Sequence, residues 1–181
     1  MSHITNGTNG ADGSQRGGAG EKRPVVRITV ENQGEMLVEL YPEKAPETCA
    51  NFLKLVGSGF YNGLTFHRII PGFMIQGGCP DGNGMGGPGY SIRGEFSKNG
   101  FTANNVAHDR GVLSMARSAQ PDSAGSQFFI CHDAAPHLNG SYAAFGKVTE
   151  GLDVLDKIAG VKTDSGDRPR EAQVIRSITQ E

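Results

Sequence analysis

Tryptophan is absent from the 181 residues, only three are cysteine, and no apolar run approaches the ~20 residues that a membrane helix needs. Each absence excludes something. A chain without such a run has no membrane-spanning helix. Cys49, Cys79 and Cys131 are an odd number with no metal or redox spacing, so they read as buried or free thiols in a reducing compartment. Charge of one sign is lacking as well. Seventeen Lys and Arg against 19 Asp and Glu leave a formal net charge of −2, which argues against nucleic-acid or membrane-surface partners. The start has neither the basic–apolar–small pattern of a signal peptide nor the arginines of a transit peptide. A cytoplasmic monomer is therefore expected, and the sequons at Asn6 and Asn139 carry little meaning.

What is abundant is glycine, 27 residues, as many turns between short strands would require. Residues 1–23 are rich in Gly, Asn and Ser and nearly devoid of large apolar side chains. They bury too little to offset the entropy of ordering, so a flexible tail is expected there, with one domain over 24–181. From Pro24 onward, Val26, Ile28 and Val30 alternate as in a strand, and Asn32-Gln33-Gly34 turns the chain into a second strand, 36–41. Pro46 and Glu47 open a helix over 46–57, with Cys49, Phe52, Leu53 and Val56 on one face and Gly57 and Gly59 as the stop. A strand over 64–76 is broken at Pro71-Gly72, and a Gly/Pro loop follows over 77–89. Strands are expected at 111–116, 127–131 and 142–148, a short helix over 152–159, and a last strand around Val174, Ile175 and Ile178. Without βαβ alternation, this reads as a mostly antiparallel closed barrel with its ends plugged by helices.

Several motifs point nowhere in particular. Gly82 to Gly87 form a GxGxxG, but Pro88 follows and no helical pattern opens, so a nucleotide fingerprint is not met. The five histidines make no i, i+4 pair, and adjacent Cys131 and His132 point to opposite faces of a strand, so no metal site is expected. Ser114, Ser126 and Cys131 lack the context of a catalytic nucleophile. Arg68 is different. It lies in an otherwise apolar segment, Phe66 to Ile75, where it is either an arginine paired at a barrel rim or a placed charge. Gln76, on the face of Met74, is in position to hold the guanidinium.

The blocks YPEKAPETCANF (41–52), FHRIIPGFMIQGG (66–78), GVLSMA (111–116), GSQFFI (125–130) and FGKVTEG (145–151) together resemble the cyclophilins, a family of peptidyl-prolyl cis/trans isomerases that bind cyclosporin. The resemblance spans about 25–180. It implies an eight-stranded antiparallel β-barrel capped by two α-helices, an enzyme without metal or cofactor, and proline-containing peptides, unfolded chains or client proteins as partners. It implies a catalytic set of Arg68, Phe73 and Gln76, with Arg68 as the catalytic arginine and Gln76 orienting it and contacting substrate backbone. Phe73, Met74, Phe129 and Leu138 would form the proline pocket. Ala116 and Arg117 would line the groove, Gln127 would sit beside it, and the Gly84–Gly87 loop would border a second pocket for residues preceding the proline. Three positions depart from the familiar eukaryotic pattern: His137 for a pocket tryptophan, Tyr142 for a wall histidine, and Arg117 for a groove asparagine. These look like bacterial or divergent single-domain members. The missing indole implies weakened cyclosporin binding, and Arg117 in the groove would favour acidic or otherwise selected partners.

Overall fold

The computed structural model of the chain describes residues 22–181. The expected tail, 1–23, lies outside them except for its last two residues. Arg23 pairs with Glu39 at 2.7 Å and Glu43 at 2.5 Å. Strands β1 (Val25–Val30) and β2 (Gly34–Leu40) form the first hairpin, followed by helix α1 (Pro46–Gly57). Then come β3 (Phe66–Ile70), β4 (Met74–Gly77), β5 (Val112–Met115), β6 (Phe128–Cys131) and β7 (Ala144–Glu150). Helix α2 (Leu152–Ala159) and strand β8 (Ile175–Gln180) close the chain.

All eight strands belong to one antiparallel sheet in the order β3-β4-β6-β5-β7-β2-β1-β8. The sheet curls until its outer strands meet. They join through one bridge, Thr65 to Val174, and through backbone bonds Gly63 N–H to Ile175 O (2.7 Å), Leu64 O from Ile175 N–H (2.7 Å) and Phe66 N–H to Gln173 O (2.9 Å). The expected eight strands and two helices are therefore present, and closure is a short seam rather than a full ladder. The seam is short because most of its residues lie outside β3 and β8.

Inside, β1 and β2 contribute Val26, Ile28, Val30, Met36, Val38 and Leu40, one face of each strand. With no tryptophan, the middle is filled by smaller rings. Phe52 of α1 lies 5.1 Å from Phe145 and 5.5 Å from Phe128, and Tyr61 is edge-on to Phe128 at 5.4 Å. Tyr61 is fully buried, but its hydroxyl donates to the Ser126 carbonyl at 2.8 Å, so no polar atom is stranded. The buried stripe of α1 runs through Cys49, Phe52, Leu55 and Val56, and Leu53 sits at its half-buried margin.

The start of α1 has no side-chain cap of its own, because Ala45 occupies the cap position. A distant residue supplies it. The buried Glu95 carboxylate accepts from Thr48 N–H at 2.6 Å, Thr48 Oγ1–H at 2.7 Å and Glu47 N–H at 3.3 Å. An anion there meets both the orphan N–H groups and the positive end of the helix.

Candidate active site

Strands β4 and β6 are buried on both faces. Their inward residues, Ile75, Phe128 and Ile130, join the barrel interior. Their outward residues, Met74, Phe129 and Cys131, form a second apolar cluster with Ala135 and Leu138, flanked by Ile70, Phe73, Ala116 and Tyr142. The candidate site is built on this outer cluster.

Arg68 reaches it through a bulge. In a regular strand Phe66 and Arg68 would face the same way. Here Phe66 pairs with Gly77 and Arg68 with Gln76, so one residue of β3, His67, is extra. The bulge leaves Phe66 fully buried in the interior and turns Arg68 outward to solvent. Gly77 makes this possible. A Cβ there would lie 2.8 Å from the Thr65 carbonyl oxygen and 2.9 Å from the Phe66 ring.

A chain of amides then holds the guanidinium. Arg68 Nη1 donates to Gln76 Oε1 at 3.4 Å, and Gln76 Nε2 to Gln127 Oε1 at 3.1 Å. Gln127 Nε2 donates to the carbonyls of Gly84 (2.9 Å) and Gly86 (2.8 Å). Among the described residues Arg68 makes no ion pair. Its steadying partner is neutral, so the charge is not cancelled, unlike that of an arginine paired at a rim.

In front of Arg68 lies a cavity of about 410 Å³ lined by Phe73, Met74, Gln76, Ala116, Arg117, Phe129, Leu138 and Tyr142. A second, of about 320 Å³, adjoins it through Gln76, Ala116 and Arg117 and is walled by Gln127 and the Gly84–Gly87 loop. The structure thus gathers ten of the eleven named site residues around two adjoining hollows. The other, His137, does not line either; its ring leans on Phe73 at 5.5 Å. Arg117 does not reach out as a free cation. Nε and Nη2 donate to the Ser141 carbonyl (3.1 and 2.6 Å) and Nη1 to that of Ser118 (2.9 Å). Its guanidinium lies between the rings of Tyr142 (4.6 Å) and Phe96 (4.9 Å), so it builds the wall.

Two features were not anticipated from sequence. His67, Asn83, Gly166 and Arg168 complete the rim of the first cavity. His67 is buried with an unpartnered Nδ1, and burial together with nearby Arg168 and Arg68 pushes its pKa down, favouring the neutral ring. Behind Phe129 stands a polar strut. His108 stacks on the Phe129 ring at 6.0 Å, and its Nδ1 and backbone N–H both meet Asn139 Oδ1 (3.1 and 2.7 Å). Nε2 is left to accept from the Ser114 hydroxyl at 2.8 Å. A serine against a histidine suggests a hydrolase, but Ser114 is wholly buried and no substrate reaches it. Burial also pushes the Cys49 and Cys131 thiols up to about 12, which leaves them inert. Among the described residues no cluster of His, Cys, Asp or Glu is placed to hold a metal, and no helix is long and apolar enough to cross a membrane. The Gly82–Gly87 loop leads into no helix. No local sequence signal announces Arg168 or the His108 strut, since both arise from contacts between distant segments.

Comparison with known proteins bears on the same region. A model of the family "Cyclophilin type peptidyl-prolyl cis-trans isomerase/CLD" matches residues 25–180. The chain is 50% identical over 145 residues to peptidyl-prolyl cis-trans isomerase B of Bacillus subtilis, covering 80% of this chain and 94% of that protein. It is 45% identical over 143 residues to a peptidyl-prolyl cis-trans isomerase of Synechococcus elongatus, covering 79% and 91%. Among solved structures it is similar to a Cryptosporidium parvum cyclophilin-type isomerase crystallised in the presence of the dipeptide Ala-Pro. That likeness has a TM-score of 0.79 at 37% identity, over 87% of this chain and 98% of the other.

Proposed function

The chain belongs to the cyclophilin-type peptidyl-prolyl cis-trans isomerases and is an enzyme of that class; we propose that Arg68 is its acting group, by non-covalent electrostatic catalysis on the prolyl nitrogen. An X–Pro bond turns over spontaneously in tens to hundreds of seconds because its resonance must be broken at the midpoint. In the planar amide the nitrogen lone pair is delocalised and accepts hydrogen bonds poorly. In the twisted state the pair is localised and basic. A guanidinium beside it therefore binds the transition state better than either isomer, and that difference is catalysis. The observation that carries the proposal is Arg68 itself: an uncancelled charge, steadied by a neutral amide, in a cavity whose wall carries the apolar patch of Phe73, Met74, Phe129 and Leu138. Arginine stays ionised throughout the pH range of enzymes, and its planar fork suits rigid holding.

The pocket of Phe73, Met74, Phe129 and Leu138 would grip the pyrrolidine ring while the preceding carbonyl swings. Gln76 would hold substrate backbone. The demand is modest. Raising a rate of ~0.01 s⁻¹ to ~10 s⁻¹ requires about 4 kcal/mol, within reach of one charged hydrogen bond plus orientation. Substrates are proline-containing peptides, including unfolded chains whose folding waits on proline. The Ala-Pro dipeptide used with the Cryptosporidium parvum protein supports this reading.

The test is exchange NMR on an Ala-Pro-containing peptide with catalytic amounts of enzyme. Wild type should bring cis and trans into fast exchange. Arg68→Ala should lose activity on the order of 100-fold while its unfolding transition stays where it was. Near-normal exchange from the folded variant would overturn the role of Arg68. Binding without acceleration by wild type would make the chain a proline-peptide binder.

A further inference from the structure

The turn that delivers Phe73 to the pocket is held from behind. Gly72 is exposed and has φ 78°, a left-handed conformation that glycine tolerates. Phe73 N–H donates to Ile70 O at 3.0 Å, and Phe73 O accepts from His132 N–H at 2.8 Å. The Gly72 N–H goes to the His132 side chain, donating to Nδ1 at 2.8 Å. An accepting Nδ1 carries no proton, so the ring proton sits on Nε2, which lies 3.0 Å from Asp156 Oδ1 on α2. Asp156 is clamped in turn by Arg110, through Nη1 at 2.7 Å and Nη2 at 2.9 Å, and Arg110 Nη1 also donates to the His132 carbonyl at 3.0 Å. The charged groups facing the imidazole are thus Asp156 from α2 and Arg110 from the segment before β5, with Asp133 next in the chain.

We propose that His132 is a positioning residue for the proline pocket: its neutral Nδ1 fixes the 71–73 turn, and with it the Phe73 ring, from a network anchored on α2. The inference rests on the isomerase reading of the pocket. Without the imidazole, an exposed turn would keep one closing bond and one strand bond, and Phe73 would sample positions off the substrate ring. Small displacements of positioning groups are expensive in rate. A proton added at Nδ1 would set two N–H donors face to face and remove the acceptor of Gly72.

The full chain is compared as wild type, His132→Ala and His132→Asn. Asparagine can place an amide oxygen where Nδ1 stands, and it does not titrate. Exchange rates, kcat, KM and peptide affinity are measured at about pH 7.5, with circular dichroism reporting folding. His132→Ala should lose about three- to tenfold in kcat/KM and weaken peptide binding, and His132→Asn should restore both to within about twofold. A merely structural histidine would move the unfolding transition and leave kcat/KM of the folded variants unchanged. Should His132→Ala fold poorly, Asp156→Ala, which frees the ring but leaves it in place, should move the same readouts the same way. The proposal is overturned if His132→Ala matches wild type, or if His132→Asn is no better than His132→Ala. An inactive wild type would instead refute the isomerase reading. In that case the affinity order of the three proteins still decides whether His132 shapes the pocket.

Discussion

Phe128 and Phe129 are neighbours in the chain, both buried, and they work in different places. Phe128 faces the barrel interior, edge-on to Phe52, Tyr61 and Phe66. Phe129 faces outward, between Tyr142 at 5.9 Å and the His108 ring. The inner face is closed and almost wholly apolar. The outer face is apolar too, but it is open on one side and threaded with placed polar groups: Arg68, Gln76, Gln127 and the His108 strut. Because side chains alternate along a strand, one short segment serves both. The two faces share a backbone and little else, so stability and chemistry should come apart under mutation.

The largest effect should come from the pair itself. Phe128→Ala should cost about 3–5 kcal/mol in urea unfolding, because it opens a cavity among rings that cannot collapse into it. Phe129→Ala should cost less than half of that, since its site already opens to solvent, yet lower kcat/KM by at least about tenfold. Equal stability losses, or an active Phe129→Ala enzyme, would erase the distinction between the faces.

An intermediate effect should appear with acid. Burial depresses the pKa of His108 behind the outer face, and of His67 at its rim, below the ordinary 6.5. A depressed histidine pKa means that the unfolded chain takes up the proton first. Stability from this source is complete above about pH 6.5 and is lost as pH falls from there toward the folded-state values. The urea midpoint should therefore fall between about pH 7 and pH 5 and change little from pH 7 to 8. The inner face adds nothing in this window, since burial drives its thiol, Cys49, to about 12 and Tyr61 well above 10. A midpoint flat through the acid range would show that the strut does not depend on a neutral ring.

The smallest effect concerns the pocket edge. His137 leans on Phe73 at the pocket edge. His137→Trp adds a larger apolar face there and should tighten cyclosporin binding by about tenfold or less, on the order of 1 kcal/mol, in a calorimetric titration. Unchanged affinity would mean that the edge position is not part of the outer face at all.

Much of this arrangement was legible in the sequence. Both helices, the strands and the pairing of Arg68 with Gln76 follow from periodicity, glycine placement and one charge in an apolar run. The runs of β4 and β6 do not alternate, because both faces are buried, and that hid which phenylalanine faced which way. What escaped was long-range. The seam uses residues outside the strands it joins. The carbonyls that occupy Arg117 and the rings that sandwich it come from three separate segments. Asp156 meets His132 only because α2 packs beside the end of β6, and nothing near either residue says so.

The carboxylate that completes α1 also orders events in time. During synthesis, residues 46–57 leave the ribosome before Glu95 does. Until it arrives, the first turn of α1 has no side-chain partner for its N–H groups. The nascent segment therefore frays at its front end, and it becomes a finished helix only when the chain that follows folds back over it.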